Sequence, residues 1–173
     1  ADDRDGNAGR GLGWWDGMIG PDKAFDTDRF FVVSTNLLGG CRGTTGPSST
    51  NPATGRAYGT DFPVITVADM VRAERAFLDE LGIRRLAAIA GGSLGGMQAL
   101  QWAVSHPDRM RSVVALVPMA RTRPWSVAMN EVARRILKAD TGFPSGPYGA
   151  GFDTWAAMTR VITNREPGAL EDI

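Results

Sequence analysis

Apolar positions along this chain follow helical and strand rhythms from about residue 30 onward, whereas the first third is otherwise polar and rich in glycine. Val67, Met70, Val71, Phe77, Leu78 and Leu81 mostly recur at i, i+3 and i+4, with Arg72, Glu74, Arg75, Asp79 and Glu80 on the other face. That spacing predicts an amphipathic helix over 66–81 whose charged face is solvated. Thr66 with Asp69 three positions on predicts a capping box, aspartate standing for the usual glutamate, and Gly82 supplies the C′ stop. The apolar run 86–90 predicts a strand, and Met97, Leu100 and Val104 predict one face of a following helix that reaches about residue 105. It ends at His106 because a residue before proline disfavours the α conformation. Residues 112–117 read as a further strand, and the run 30–34 (FFVVS), bounded by turn residues, reads as an earlier, buried one. Strand, helix, strand, helix, strand is a βαβαβ order and implies a mostly parallel sheet in an α/β fold. Pro124 opens a helix to about 137, and a second covers about 152–162 beyond the Gly/Pro-rich stretch 140–151. This divides the chain into 1–118, the central part of a core, and 119–173, the start of a helical lid or insertion.

The polar stretches read as loops. Residues 1–13 carry no periodicity, and the adjacent Trp14 and Trp15 anchor their loop to the body. Asp26 and Asp28 belong to a turn and are solvated, not a catalytic pair. The loop 36–49 (NLLGGCRGTTGPSS) follows the expected strand 30–34, at the strand end where ligands bind in open α/β sheets. It is not a phosphate-binding loop, since no Gly-Lys-Ser/Thr closes it. Cys41 reads as a packed thiol, because no histidine is available to activate it.

Composition narrows the classes. The chain has 173 residues, 43% hydrophobic and 22% charged, which suits one soluble globular domain. Lys+Arg and Asp+Glu each number 19, a balance that speaks against nucleic-acid or membrane-surface partners. A single cysteine excludes an internal disulfide framework and fits a reducing, cytoplasmic setting. No apolar run approaches the ~20 residues of a membrane span, and no signal-peptide pattern is present. The absence of an initiator methionine and the presence of one histidine lead to the expectation that the chain is incomplete.

The chemistry concentrates in Gly91, Gly92, Ser93, Leu94 and Gly95, which read G-x-S-x-G between a strand and a helix. A sharp strand-to-helix turn there holds a serine in a strained conformation and lifts its Oγ off the sheet, and flanking glycines are expected where a Cβ has no room. The helix N-terminus favours negative charge, and the N–H of Leu94 is placed to stabilise an oxyanion. Ser93 is therefore the expected nucleophile. A serine needs a base within about 3 Å, itself oriented by an acid. His106 lies 13 residues along the same helix, about 20 Å away at ~1.5 Å per residue, and cannot serve. Leu37 and Leu38 are candidates for the second oxyanion donor. Nothing in the pattern suggests a metal site or a bound cofactor.

The residues quoted so far resemble the homoserine O-acetyltransferase family of α/β-hydrolase-fold acyltransferases. The resemblance rests on Gly13 to Gly17 (GWWDG), Asp26 to Arg29 (DTDR), the loop 36–49, and Tyr58-Gly59 with Phe62-Pro63. It continues through Asp69 to Val71 (DMV), residues 91–98 (GGSLGGMQ), and Pro107 to Arg109 (PDR), in family order. It implies a partial α/β-hydrolase fold and an acyl-Ser93 intermediate formed from acetyl-CoA as cosubstrate, then passed to a hydroxyl such as that of homoserine. It also implies an acid and then a histidine beyond Ile173, and a second oxyanion donor upstream of Ala1 in place of Leu37 or Leu38. A homodimer stays open for the full-length protein. Family members that use homoserine carry an arginine in the lid that grips the substrate carboxylate, and a tyrosine seven residues later. Here those positions align with Ala157 and Asn164, leaving Arg160 or Arg121 as candidate substitutes. The alternatives are an esterase of the same family, with water as acceptor, or a segment inactive without the rest of its chain.

Overall fold

The computed structural model describes residue 13 and residues 15–40, 43–142 and 149–163. The chain forms two compact units, Ala1–Asn36 and Leu37–Ile173. The first is held by turns. Ile19 bridges Phe25, and the Trp15 ring lies 5.8 Å from that of Phe25 within the same unit. Trp14 lies outside the described residues. The expected buried strand 30–34 is not formed: the segment pairs in no ladder among the described residues, Phe30 is exposed and Phe31 is 82% exposed. Its apolar content favours extended backbone, but a strand also needs a neighbour's N–H and C=O groups.

The second unit opens with a loop that bonds to itself. Gly39 N–H donates to Thr45 O at 2.9 Å, and Gly46 N–H donates to Ser49 Oγ at 2.9 Å. Gly46 is buried, and a Cβ there would run into the Gly40 carbonyl. Cys41 falls outside the described residues. Helix α1 (Val67–Glu80) follows, with the capping box its sequence announces: Asp69 N–H donates to Thr66 Oγ1 at 3.2 Å and Thr66 N–H to Asp69 Oδ2 at 2.8 Å. It ends as the sequence predicts. Gly82 takes φ +73°, its N–H donates to Asp79 O, and Ile83 N–H reaches back to Leu78 O.

Strand β1 (Ile89–Gly92), helix α2 (Leu94–Ser105) and strand β2 (Val113–Leu116) form one βαβ unit. The strands pair in parallel with Ile89 opposite Val113 and Gly92 opposite Leu116, and a bridge from Leu86 to Met110 prolongs the contact. The sheet has two described strands, so the expected βαβαβ order reduces to βαβ preceded by α1. Helix α2 packs on both strands and on α1. Met97 and Leu100 are half-buried and Val104 is 79% exposed, and the buried stripe of α2 is Gly96, Gln98, Ala99 and Trp102. Small residues let the helix approach the strands closely, and Trp102 then reaches across to α1. Its Nε1–H donates to Glu74 Oε2 at 2.7 Å. Arg109 likewise donates to Asp79 Oδ1 at 2.7 Å and to Ile83 O at 3.1 Å. Glu74 and Asp79 thus tie α1 to its neighbours and are not merely solvated, contrary to the sequence expectation. The Arg109 guanidinium, bonded to Asp79, holds that carboxyl below its ordinary value.

Helices α3 (Pro124–Ala139) and α4 (Ala150–Thr163) pack against each other, close to the expected bounds. Their joint is Asp140, buried at the C-cap of α3. Its carboxylate accepts from the N–H groups of Gly142 at 2.8 Å, Gly149 at 3.0 Å and Phe152 at 2.9 Å, so it caps the start of α4. A Cβ on Gly151 would meet Asp140 Cβ at 2.7 Å, which leaves room for glycine only.

Candidate active site

Ser93 stands between β1 and α2 with φ 52° and ψ −114°, a conformation that non-glycine residues adopt rarely. Strain of this kind amounts to about 1–3 kcal/mol and persists only where the surroundings over-determine it. Here two hydrogen bonds do so. Ser93 N–H donates to Leu116 O of β2 at 2.9 Å, and Ser93 O accepts the first helical bond, from Met97 N–H at 3.0 Å. The side chain makes no capping bond and is exposed, so Oγ faces solvent at the C-terminal edge of the sheet. Leu94 is the first residue of α2, and the opening N–H groups of a helix have no intrahelical acceptor. Ser93 and the N–H of Leu94, the expected nucleophile and oxyanion donor, are therefore neighbours by construction.

The glycines divide differently from the sequence expectation. Only Gly91 is required by space, because a Cβ there would lie inside the backbone of Gly95. The Cβ positions of Gly92 and Gly95 are open, while Gly96 faces Leu116 O at 3.0 Å and Pro118 Cβ at 3.2 Å. Closeness between strand and helix is thus carried by Gly91 and Gly96.

The remaining sequence candidates are not gathered at Ser93 by any described bond. His106 caps the far end of the 12-residue α2, its ring 5.2 Å from that of Trp102, with N–H bonded to Trp102 O. Burial, and then the charges of Arg75 and Arg109, push the imidazole below its ordinary value. Arg121 is exposed in the bend after β2. Arg160 is exposed in the last turn of α4, and Ala157 is half-buried in the same helix. Asn164 lies outside the described residues, as does the stretch 143–148. Among the described residues no three His, Cys, Asp or Glu side chains could hold a metal ion, and no helix is long and apolar enough to cross a membrane.

Two residues at the site escaped the sequence reading. Gln98 is 4% exposed, and its Nε2 donates to Leu94 O at 3.4 Å, bracing the first turn behind the nucleophile; its Oε1 has no partner among the described residues. Val117 follows β2 directly with φ 43°, and nothing in a Val-Pro pair signals a left-handed residue.

An exposed serine at a strained strand-to-helix turn, beside a helix N-terminus, has the geometry of the nucleophile elbow of α/β proteins. The chain belongs to the alpha/beta hydrolase fold family, whose pattern matches residues 5–161. Among curated relatives it is 57% identical over 136 residues to a homoserine O-acetyltransferase of Symbiobacterium thermophilum, covering 79% of this chain and 36% of that protein. It is equally 57% identical, over the same coverage, to a homoserine O-succinyltransferase of Stutzerimonas stutzeri. The chain thus spans about a third of the length of these relatives. Among solved structures it resembles a homoserine O-acetyltransferase from Bacillus anthracis, with TM-score 0.77 and 36% identity over 85% of this chain and 43% of the other. It also resembles an esterase, with TM-score 0.79 and 35% identity over 91% of this chain and 46% of the other.

Proposed function

We propose that the protein carrying this chain is a homoserine O-acyltransferase that works through an acyl-serine. Ser93 Oγ attacks the thioester carbonyl of a short acyl-CoA, acetyl-CoA first among them. The oxyanion forms against the N–H of Leu94, CoA leaves as its thiol, and the acyl group stays on Ser93. The hydroxyl of homoserine then attacks the acyl-serine and leaves as the ester. No resident cofactor or metal takes part. The observation that supports this reading best is the backbone of Ser93, whose strain serves no packing purpose and presents Oγ beside the helix N-terminus. The base and its acid come, in this reading, from the C-terminal part of the full-length protein, since His106 stands at the opposite end of α2. The segment 119–173 opens a helical lid, and Arg121 or Arg160 supplies the cation that holds the amino-acid carboxylate.

The test is an assay of the full-length protein with acetyl-CoA, with and without homoserine. CoA release that requires homoserine, yields O-acetylhomoserine and falls about 10⁴-fold or more in Ser93→Ala supports the proposal. Hydrolysis of a simple acetate ester without any transfer overturns it and supports the second reading, an esterase with water as acceptor, which the likeness to the solved esterase favours.

A further inference from the structure

Val117 stands one residue past Leu116, the register partner of Gly92, and so flanks Ser93 across the C-terminal edge of the sheet. Parallel neighbours lie about 4.8 Å apart, which brings the backbone of Val117 next to that of Ser93. Its backbone is improbable on three counts: it is β-branched, it precedes a proline, and its φ is +43°. Both flanks are fixed. Leu116 O accepts from Ser93 N–H at 2.9 Å, and Pro118 is seated on Gly96, where an added Cβ would meet Pro118 Cβ at 3.2 Å. The result is an isopropyl group left 82% exposed at the edge where Ser93 stands. Strained residues cluster where they position a group for binding. From Ala115 to Ala120 every side chain is apolar, and the next basic residue is Arg121. A carboxylate laid against that stretch would lose water without gaining a partner.

We propose that Val117 determines acyl specificity: its isopropyl group forms the wall against which the acyl group on Ser93 lies, favouring a short, uncharged acyl group over one that ends in a carboxylate. This rests on the reading of Ser93 as the acyl-bearing nucleophile. The equal identity to an acetyltransferase and a succinyltransferase shows that overall likeness does not decide between the two acyl groups, so a local group must.

The experiment compares the full-length parent with Val117→Gly and Val117→Asn, two residue types that accept left-handed backbone, so that neither adds strain. The readouts are kcat/KM for acetyl-CoA and for succinyl-CoA, with either homoserine or water as acceptor, and labelling of Ser93 by a fluorophosphonate. The parent is expected to prefer acetyl-CoA, and that preference is expected to fall by about tenfold or more in Val117→Gly and Val117→Asn while labelling persists. A folding defect lowers both rates together and leaves their ratio unmoved. A ratio within about twofold of the parent in both variants, with Ser93 still labelled, overturns the assignment to Val117 alone. So does a parent that prefers succinyl-CoA. A parent that is not labelled at Ser93 overturns the nucleophile reading itself, and this inference with it.

Discussion

The two ends of α2 are built on opposite principles. At its start, Ser93 and Val117 sit in positive-φ conformations, Ser93 Oγ is unbonded, and the opening N–H groups have no acceptor within the helix. At its end, Trp102 is buried and bonded to Glu74, His106 packs against Trp102, and Arg109 joins Asp79 and Ile83. One end holds strain and unmet hydrogen-bonding capacity, and the other holds the contacts that keep such an arrangement folded. Within one helix about 18 Å long, stability and chemistry are separated by a few turns.

That contrast can be broken from either side. The largest effect on stability is expected from Trp102→Ala, which removes the largest fully buried side chain among the described residues together with its bond to Glu74. It should lower unfolding free energy by about 3–5 kcal/mol in denaturant titration, while the folded fraction keeps its fluorophosphonate labelling rate at Ser93. Gly91→Ala forces a Cβ into the backbone of Gly95 and is expected to cost about 1–3 kcal/mol and, unlike the tryptophan change, to slow labelling of the folded protein. Ser93→Gly should act with the opposite sign. It releases the strain at the turn and is expected to raise stability by about 1 kcal/mol while removing the nucleophile, a gain that an ordinary surface serine would not give.

The smallest effect under ordinary conditions concerns α3 and α4. Burial pushes the Asp140 carboxyl up, but the N–H groups of Gly142, Phe152, Gly149 and Gly151 together outweigh it and hold it below the ordinary carboxylate value. A depressed folded-state value means that the contribution is fully present above the unfolded-state value, and is lost as pH falls through the folded one. Protection of the amides at the start of α4, taken relative to the intrinsic exchange rate at each pH, should therefore fall on acidification below the usual aspartate range. In Asp140→Asn that protection should be low already at neutral pH and less dependent on acid.

Much of this was open to sequence reading, and the exceptions share a cause. Helix α1 announces its start and stop because capping and left-handed glycine are local chemistry, readable from Thr66, Asp69 and Gly82 alone. The G-x-S-x-G turn is similarly local. The segment 30–34 failed because apolar content signals a preference for extended backbone but says nothing about which strand would pair with it. The buried stripe of α2 has no signal in hydrophobicity, which ranks Met97, Leu100 and Val104 above Gly96 and Gln98, whereas close approach to the strands selects small residues. The left-handed φ of Val117 is imposed by Leu116 and Pro118 through contacts with Ser93 and Gly96, so it is a tertiary property with no local signature.

The bond from Ser93 N–H to Leu116 O also sets an order of events. The strand that fixes the serine turn is made after the serine itself. At synthesis rates of about 5–20 residues per second, β2 leaves the ribosome roughly a second or more behind Ser93. Until then nothing outside the turn enforces the strained φ, and Ser93 is free to relax into ordinary backbone. The strained geometry is thus withheld from the nascent chain until the βαβ unit that enforces it can close.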